Sequence, residues 1–301
     1  MADAEDKRTK MNEEYEVLKK RVARKRGLGT EMHALLFSVI GAAGRVLDEC
    51  ERIDLQSSME GKSYHKFISQ TGYASRPINS GLVLESFGDA SEIFGEILRG
   101  GRKEFTADQL TRAAYTIGIS CSAAIDVTRK SGKKRQNRLF DWLCGTMMES
   151  VLGVRSERYL EVLNLDLKGK FPTDLVFELG CERPNFHFPV RTSTTDQIIH
   201  VWALQRMIDN IYGNGRFLGM PIILSEASID SKTGKVTEIC LPWEWRLYQM
   251  HLASLWCVCY FDAPQKYLKL NRVFPPVRVV TIGELLQDGG KMDELLAEHR
   301  I

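Results

Sequence analysis

Apolar residues recur at two different spacings along the chain. In the first half they stand three and four positions apart, which is the period of a helix with one buried face. The helices predicted in this half cover residues 11–26, 31–52, 81–99 and 106–127. Thr106 stands where an N-cap is expected. The Gly, Pro, Asn and Ser content of residues 70–81 predicts a loop between two of these helices.

The pattern changes in the second half. The stretch "LFDWLCGTMMESVLGV" (139–154) is again helical, but short apolar runs rich in β-branched and aromatic residues follow it and predict strands. The predicted strands are residues 171–179, 186–192, 217–224, 235–240, 255–261 and 276–281, with helices predicted at 194–212 and 243–254. We therefore predict a helical N-terminal region, residues 1–137, and an α/β (α+β) core, residues 138–301.

Composition narrows the class of protein. The 301 residues are 44% hydrophobic, which is enough to form a substantial core and excludes a disordered chain. We find no apolar run of membrane-spanning length, and the first residues are highly charged, so we expect a cytoplasmic protein with no membrane partner. The seven cysteines form no zinc-binding pattern and are expected to be reduced thiols.

The net charge of +2 conceals a strongly basic segment. Residues 129–138, "RKSGKKRQNR", carry six lysines and arginines and no acid. A block of this kind can neutralise several phosphate groups of a nucleic acid. The alternative is a solvated loop without a partner.

One acidic residue, Asp174, lies inside an apolar run. If the two strands at 171–179 and 186–192 form an antiparallel hairpin folded about residues 182–183, Asp174 lies opposite Arg191. Directly opposed residues share a face, with Cβ atoms about 5 Å apart, so the two charges are predicted to meet. Glu178 shares that face but lies about 13 Å from Asp174 along the strand.

These residues resemble the active-site motif of the PD-(D/E)XK nuclease superfamily. The sequence "PTD" (172–174) is similar to the first element of the motif, and "PVR" (189–191) is similar to the second. The stretch "FPVRTSTTDQIIHVWALQRMID" also resembles a "PVKTSTRER" segment of some type II restriction endonucleases. The resemblance implies a restriction-endonuclease-like core with a mixed central sheet flanked by helices, and a site that binds Mg²⁺ as cofactor.

The resemblance assigns roles to individual residues. Asp174 matches the metal-binding acid, and Arg191 takes the place of the lysine. An arginine stays protonated and cannot act as a base, but its planar fork can hold a phosphate oxygen.

A second acid is missing because Pro189 stands at its usual position. Two residues are candidates to replace it. Asp196 could instead complement the N-terminus of a helix, and Glu149, a candidate metal ligand on the helix before the hairpin, could instead be a surface glutamate.

The function predicted from these features is that of a type II restriction endonuclease, which hydrolyses double-stranded DNA at a specific sequence with Mg²⁺. The DNA-binding residues expected in the basic block are Lys133, Lys134, Arg135 and Arg138. Cleavage of a symmetric site favours a homodimer, and an asymmetric site favours a heteromeric partner subunit. The alternative function is a catalytically inactive or partner-dependent DNA-binding subunit of a restriction-modification system.

Overall fold

The computed structural model of the protein describes six stretches of the chain. In the first stretch, side chains are described for residues 6–22 only. The stretches are residues 2–24, 32–128, 138–162, 169–180, 184–194 and 198–287. The first half contains four helices and the second half opens with a fifth. They are α1 (Ala2–Arg24), α2 (His33–Leu47), α3 (Phe87–Arg99), α4 (Ala107–Val127) and α5 (Leu139–Leu152). All five predicted helices are confirmed, although α1 begins nine residues and α3 six residues from the predicted start.

Local capping explains where two of these helices begin. Thr106 caps α4 as predicted: its hydroxyl accepts a hydrogen bond from the Gln109 N–H, and the Gln109 side chain binds back to the Thr106 N–H. This reciprocal pair is a capping box. Ser86 caps α3 through a bond from the Asp89 N–H at 3.1 Å.

The first half also contains a small antiparallel sheet that the sequence analysis missed. Its strands, in the order β1-β2-β3, are β1 (Glu51–Leu55), β2 (Tyr64–Ile68) and β3 (Ile78–Asn79). β3 lies within residues 70–81, so the prediction that this whole segment is a loop is wrong. The reason is that β1 and β2 are too polar to form an apolar run, and two residues of β3 give no periodicity.

The second half contains the remaining elements. The strands are β4 (Glu157–Val162), β5 (Gly169–Phe177), β6 (Asn185–Phe188), β7 (Val190–Arg191), β8 (Phe217–Gly219), β9 (Ile222–Ile223), β10 (Ala227–Ile229), β11 (Val236–Glu238), β12 (Val258–Tyr260) and β13 (Val279–Thr281). The helices are α6 (Ile198–Tyr212), α7 (Pro242–His251), α8 (Gln265–Leu268) and α9 (Ile282–Gln287). The predicted strands are confirmed, while β4 and β10 were not predicted.

Backbone hydrogen bonds join two four-stranded arrays into one mixed sheet. One array has the order β4-β5-β6-β8 and the other β13-β12-β9-β7. Only Pro189 separates β6 from β7, and the ladder continues across this break, because the N–H groups of Met220 and Ile222 donate to the carbonyls of His187 and Pro189, both at 2.8 Å. Strands β4, β5 and β6 are antiparallel and the pairs beyond β6 are parallel. The predicted mixed central sheet is therefore confirmed.

The register of the β5–β6 hairpin differs from the predicted one. Leu175 pairs with Phe188 and Phe177 with Phe186, which places Asp174 opposite Pro189 and not opposite Arg191. The predicted register is therefore wrong by two residues. Because side chains alternate with a period of two, this shift leaves Asp174 on the same face and moves Arg191 only one step diagonally away.

One hydrophobic cluster includes residues from both predicted parts of the chain. Buried side chains of α2, α3 and α4 pack with those of α5, β5, β6 and α9. The boundary predicted between residues 137 and 138 falls beside residues 129–137, outside the described part of the chain, and stays a prediction. No helix within the described ranges is long and apolar enough to cross a bilayer.

A second cluster holds α6 and α7 against the parallel strands. Trp245 of α7 is fully buried and stacks on Tyr267 with ring centroids 3.8 Å apart. Trp202 of α6 packs against the same tryptophan at 5.4 Å. Aromatic packing of this kind fixes the helix that follows the strand carrying Arg191.

Gly283 of α9 lies close against α4. Its N–H donates to the Thr111 hydroxyl at 3.0 Å, and a Cβ at this position would overlap the carbonyl group of Ala107 in α4. Gly283→Ala should therefore lower the free energy of unfolding by about 1–3 kcal/mol, since the overlap forces a backbone shift in a packed core. Urea unfolding followed by circular dichroism measures this change.

The matched control is Gly41→Ala in α2, where the nearest atom to an added Cβ is the flexible end of Arg45 at 3.4 Å. This variant should be unchanged or more stable by up to ~1 kcal/mol, because alanine is the better helix former. Equal stabilities of the two variants would contradict the close packing of α4 and α9.

Candidate active site

The side chains of Asp174 and Arg191 meet, as the sequence predicted. Nη1 of Arg191 lies 2.5 Å from Oδ2 of Asp174 and also donates to the Val190 carbonyl at 2.7 Å. The Val190 N–H donates to the same carboxylate oxygen at 3.1 Å. The side chains are 28% exposed for Asp174 and 20% for Arg191, so the pair is partly buried but still open to solvent.

The local strand geometry explains why these residues come together. β5 carries Asp174 in the antiparallel part of the sheet, and β7 carries Arg191 where the parallel part begins. Pro189 interrupts the strand between β6 and β7 and has no N–H of its own. The Asp174 side chain therefore reaches the next N–H along the chain, that of Val190.

A second carboxylate, Asp141, lies beside this pair. It is in the first turn of α5 and is partly buried. Burial, and after it the negative charge of Asp174, raise the pKa of Asp141 to about 7, against the opposing effect of three arginines: Arg158, Arg191 and Arg138. Two nearby acids that repel each other are typical of a cation-binding site.

The sequence analysis missed Asp141. An acid in the first turn of a helix is ordinarily explained by the helix dipole, and no spacing rule links it to Asp174. Its one visible signal is its place on the helix that precedes the hairpin, where we predicted Glu149 instead.

Glu149 lies near the other end of α5. Its Oε1 accepts hydrogen bonds from the N–H of Ser156 at 3.0 Å and from its hydroxyl at 2.7 Å, which ties the end of α5 to the start of β4. Eight residues, or about 12 Å of helix, separate Glu149 from Asp141. Glu149 thus bonds to Ser156 at the far end of α5 from Asp141, and its role as a metal ligand stays a prediction.

The remaining predicted residues divide into two groups. Asp196, Lys133, Lys134 and Arg135 lie outside the described residues, and their roles stay predictions. Arg138 is exposed at the N-cap position of α5, three residues before Asp141.

Glu226 holds the corner that follows Arg191. It is 1% exposed and accepts hydrogen bonds from the Thr194 N–H at 3.0 Å, the Thr194 hydroxyl at 2.5 Å and the Tyr260 hydroxyl at 2.8 Å. Burial raises its pKa and these donors lower it, with burial the larger effect. Thr194 thus binds Glu226 through both its N–H and its hydroxyl.

Side-chain hydrogen bonds connect the small N-terminal sheet to the central sheet near the carboxyl end of β12. Lys62 donates to Glu238 at 2.6 Å and to Asp262 at 2.8 Å, and Asn79 of β3 donates to Asp262 at 3.1 Å. Asp262 lies two residues beyond the end of β12 and is 2% exposed. This buried network connects the first half of the chain to the strand ends near the site.

The two carboxylates suit a magnesium ion. Asp174 uses only Oδ2 in hydrogen bonds within the described part of the chain, and Asp141 makes none there, so three carboxylate oxygens have no protein donor. Magnesium is commonly held by one or two carboxylates together with water and phosphate oxygens. Among the residues that the structure describes there is no cluster of three acids, histidines or cysteines. The donor set therefore fits Mg²⁺ in contact with a phosphate group.

Comparison with solved structures identifies the fold. The crystal structure of the type IIP restriction endonuclease Kpn2I superposes with a TM-score of 0.75 over 98% of this chain and 99% of that chain, at 20% sequence identity. The chain has a restriction endonuclease fold. The predicted fold class is thus confirmed over nearly the whole chain, including the helical first half.

A second solved structure is less similar to this chain. A complex of the restriction endonuclease PspGI with its substrate DNA gives a TM-score of 0.44 at 11% identity, covering 70% of this chain and 93% of that chain. No protein-family model and no curated protein sequence matches the chain.

The pKa of Asp141 makes protein stability depend on pH. Because its pKa is about 7 in the folded chain and lies near 4 in an unfolded chain, the folded state binds the extra proton between these values. The free energy of unfolding of the wild type, measured relative to Asp141→Asn, should therefore fall as the pH rises from 5 to 8, by at most ~1.4 kcal/mol per pH unit up to pH 7. Urea unfolding in EDTA at several pH values measures the difference.

The control for this experiment is Asp108→Asn, which removes an exposed aspartate from the first turn of α4. It shows the change produced when a carboxylate in water at the start of a helix is lost. If the Asp141→Asn profile follows the Asp108→Asn profile at every pH, Asp141 does not have the raised pKa.

Proposed function

We propose that the protein is a type II restriction endonuclease that hydrolyses phosphodiester bonds of double-stranded DNA at a specific sequence and requires Mg²⁺. The observation that supports this most strongly is the contact of Asp174 with Arg191, within electrostatic range of Asp141, in a restriction endonuclease fold. Removing charges from water costs free energy, and a buried ion pair seldom adds net stability. The presence of such a pair inside an apolar hairpin therefore favours a functional role. Two acids beside a phosphate-binding arginine match the needs of phosphodiester hydrolysis.

Asp174 and Asp141 are the residues that would hold the metal. When bound, Mg²⁺ would neutralise charge on the phosphate and lower the pKa of a water molecule. The raised pKa of Asp141 means that the site without metal carries a proton near neutral pH, so this proton must leave before both acids can bind a cation. Cation binding at this site should accordingly strengthen as pH rises through 7.

Arg191 orients the site and binds phosphate. Its guanidinium already uses Nη1 to hold Asp174 and the Val190 carbonyl, which fixes its plane relative to the carboxylate. Nε is buried and has no acceptor within the described residues. An arginine in this position can stabilise charge on a phosphate but cannot take a proton from water.

DNA binding is proposed to start in the basic block. Residues 129–138 lead directly into α5, whose first turn carries Asp141. Contacts of Lys133, Lys134, Arg135 and Arg138 with the DNA backbone would bring the scissile phosphate toward the two acids. A homodimer would present two such sites to a symmetric sequence.

A catalytically inactive or partner-dependent DNA-binding subunit is the second candidate function. It is favoured by one observation, the arginine at the position where the resembling nucleases carry lysine. In that case Arg191 would hold phosphate while another chain supplies the cutting site.

Cleavage by the purified chain separates the two functions. With Mg²⁺ and phage or genomic DNA, the wild type should give discrete fragments. Asp174→Ala and Asp174→Asn should abolish cleavage and leave DNA binding close to that of the wild type, because they remove the metal ligand and not the basic surface. Asparagine keeps an acceptor for the Val190 N–H, so it tests the charge without disturbing the strand.

Glu178→Ala is the matched control, because Glu178 is an exposed acid just beyond the end of β5. It should cut like the wild type. A wild type that binds a specific sequence but cuts with no divalent metal would contradict the nuclease and favour the DNA-binding subunit.

The basic block has a separate test. Replacing Lys133, Lys134 and Arg135 by alanine should weaken DNA binding and reduce the slope of log K against log salt by up to about 0.9 for each lost phosphate contact. Titrations at several salt concentrations measure the slope.

Lys232→Ala with Lys235→Ala, in the exposed turn between β10 and β11, serves as the control for loss of positive charge alone. If the triple variant has the slope of the wild type, the basic block is solvated and makes no contact with DNA.

A further inference from the structure

Arg158 lies opposite Asp174 across an irregularity in the sheet. In the β4–β5 ladder Glu157 pairs with Val176 and Tyr159 pairs with Pro172, so one residue of β4 faces three of β5. The single residue is Arg158, and the middle one of the three is Asp174. Bulges of this kind re-aim side chains and are frequent beside active sites.

The guanidinium of Arg158 makes no hydrogen bond within the described part of the chain. The side chain is half-buried, its Nη2 is buried without an acceptor, and it forms no ion pair there. By comparison, the half-buried Arg76 binds both carboxylate oxygens of Asp126. Keeping buried donors unsatisfied costs free energy, so a ligand that supplies an acceptor would recover it.

The charges around Arg158 indicate the kind of ligand. The charges of Arg158, Arg191 and Asp174 all affect the pKa of Asp141, so these three side chains lie within electrostatic range of Asp141. Arg191 is bonded to Asp174, whereas Arg158 is close to the acids without being bonded to either. Its planar fork matches the oxygens of a phosphate group and suits a second contact on a phosphate held near the acids.

We propose that Arg158 binds a non-bridging oxygen of the DNA phosphate at the cleavage position, together with Arg191 on the other side of Asp174. This inference rests on the proposed function and adds to it a phosphate-binding residue that lies outside the motif-like stretches "PTD" and "PVR". Arg158 and Arg191 are supplied by β4 and β7, and Asp174 by β5 between them in the chain.

The test combines a protein variant with a DNA modification. Once the fragment ends have located the cleaved bond, duplexes are made with a normal phosphate or a neutral methylphosphonate at that bond. Binding is measured in EDTA, so that no cleavage occurs. On the normal duplex Arg158→Ala should bind about tenfold or more weakly than the wild type, and its salt slope should fall by about 0.9. On the methylphosphonate duplex the two proteins should bind alike.

Two further variants exclude other causes. Arg158→Lys keeps the charge and should retain the salt slope while losing part of the affinity. Arg155→Ala removes an exposed arginine three residues earlier and should bind both duplexes like the wild type. If thermal unfolding shows that Arg158→Ala is unfolded, Arg158→Gln replaces it, because glutamine keeps much of the side-chain length without the charge.

The outcomes separate this inference from the proposed function. If the wild type neither binds nor cuts DNA, the proposed function fails and the role of Arg158 fails with it. If the wild type binds and cuts but Arg158→Ala matches it in affinity and slope, only the role of Arg158 is overturned. A loss of affinity that is equally large on the methylphosphonate duplex also overturns it, because Arg158 would then act elsewhere than on that phosphate.

Discussion

The bond network of the Asp174 carboxylate joins the two halves of the central sheet. The carboxylate belongs to the antiparallel hairpin, while its donors, the Val190 N–H and the Arg191 guanidinium, belong to the strand where parallel pairing begins. Everything else at the site is arranged around this junction. α5 brings Asp141 to it, β4 bulges opposite it, and Glu226 holds the corner of the chain that leaves it.

Much of this arrangement could be predicted from sequence. The apolar runs of β5 and β6 are strong signals, and a single acid within them stands out because burial of an unpaired charge is costly. The contact with Arg191 followed from the hairpin alone. The register was wrong by two residues because residues 181–183 contain no turn signal that sets loop length, but a shift of two leaves every side chain on its face.

The parts that could not be predicted depend on contacts distant in sequence. In the sequence, Asp141 has the position of an ordinary acid at the start of a helix. Its proximity to Asp174 arises only from the packing of α5 against β5. A glutamate such as Glu226 is ordinarily expected on the surface, whereas in the structure it is buried and bound by Thr194 and Tyr260. The first sheet is stabilised by the bonds of Lys62 and Asn79 to Asp262, about 200 residues away along the chain. Local periodicity contains no information about such pairs.

Pro189 has a consequence for how this site tolerates change. A proline offers no N–H to the neighbouring strand, and the next donor along the chain, the Val190 N–H, must find its acceptor in another group at this point. The Asp174 side chain is that group, because its Oδ2 receives the Val190 N–H. The same oxygen thus takes part in the hydrogen bonding of the sheet and belongs to the candidate active site. Loss of the acid would therefore remove a member of the site and also leave the Val190 N–H without its acceptor, which an asparagine amide oxygen could still provide.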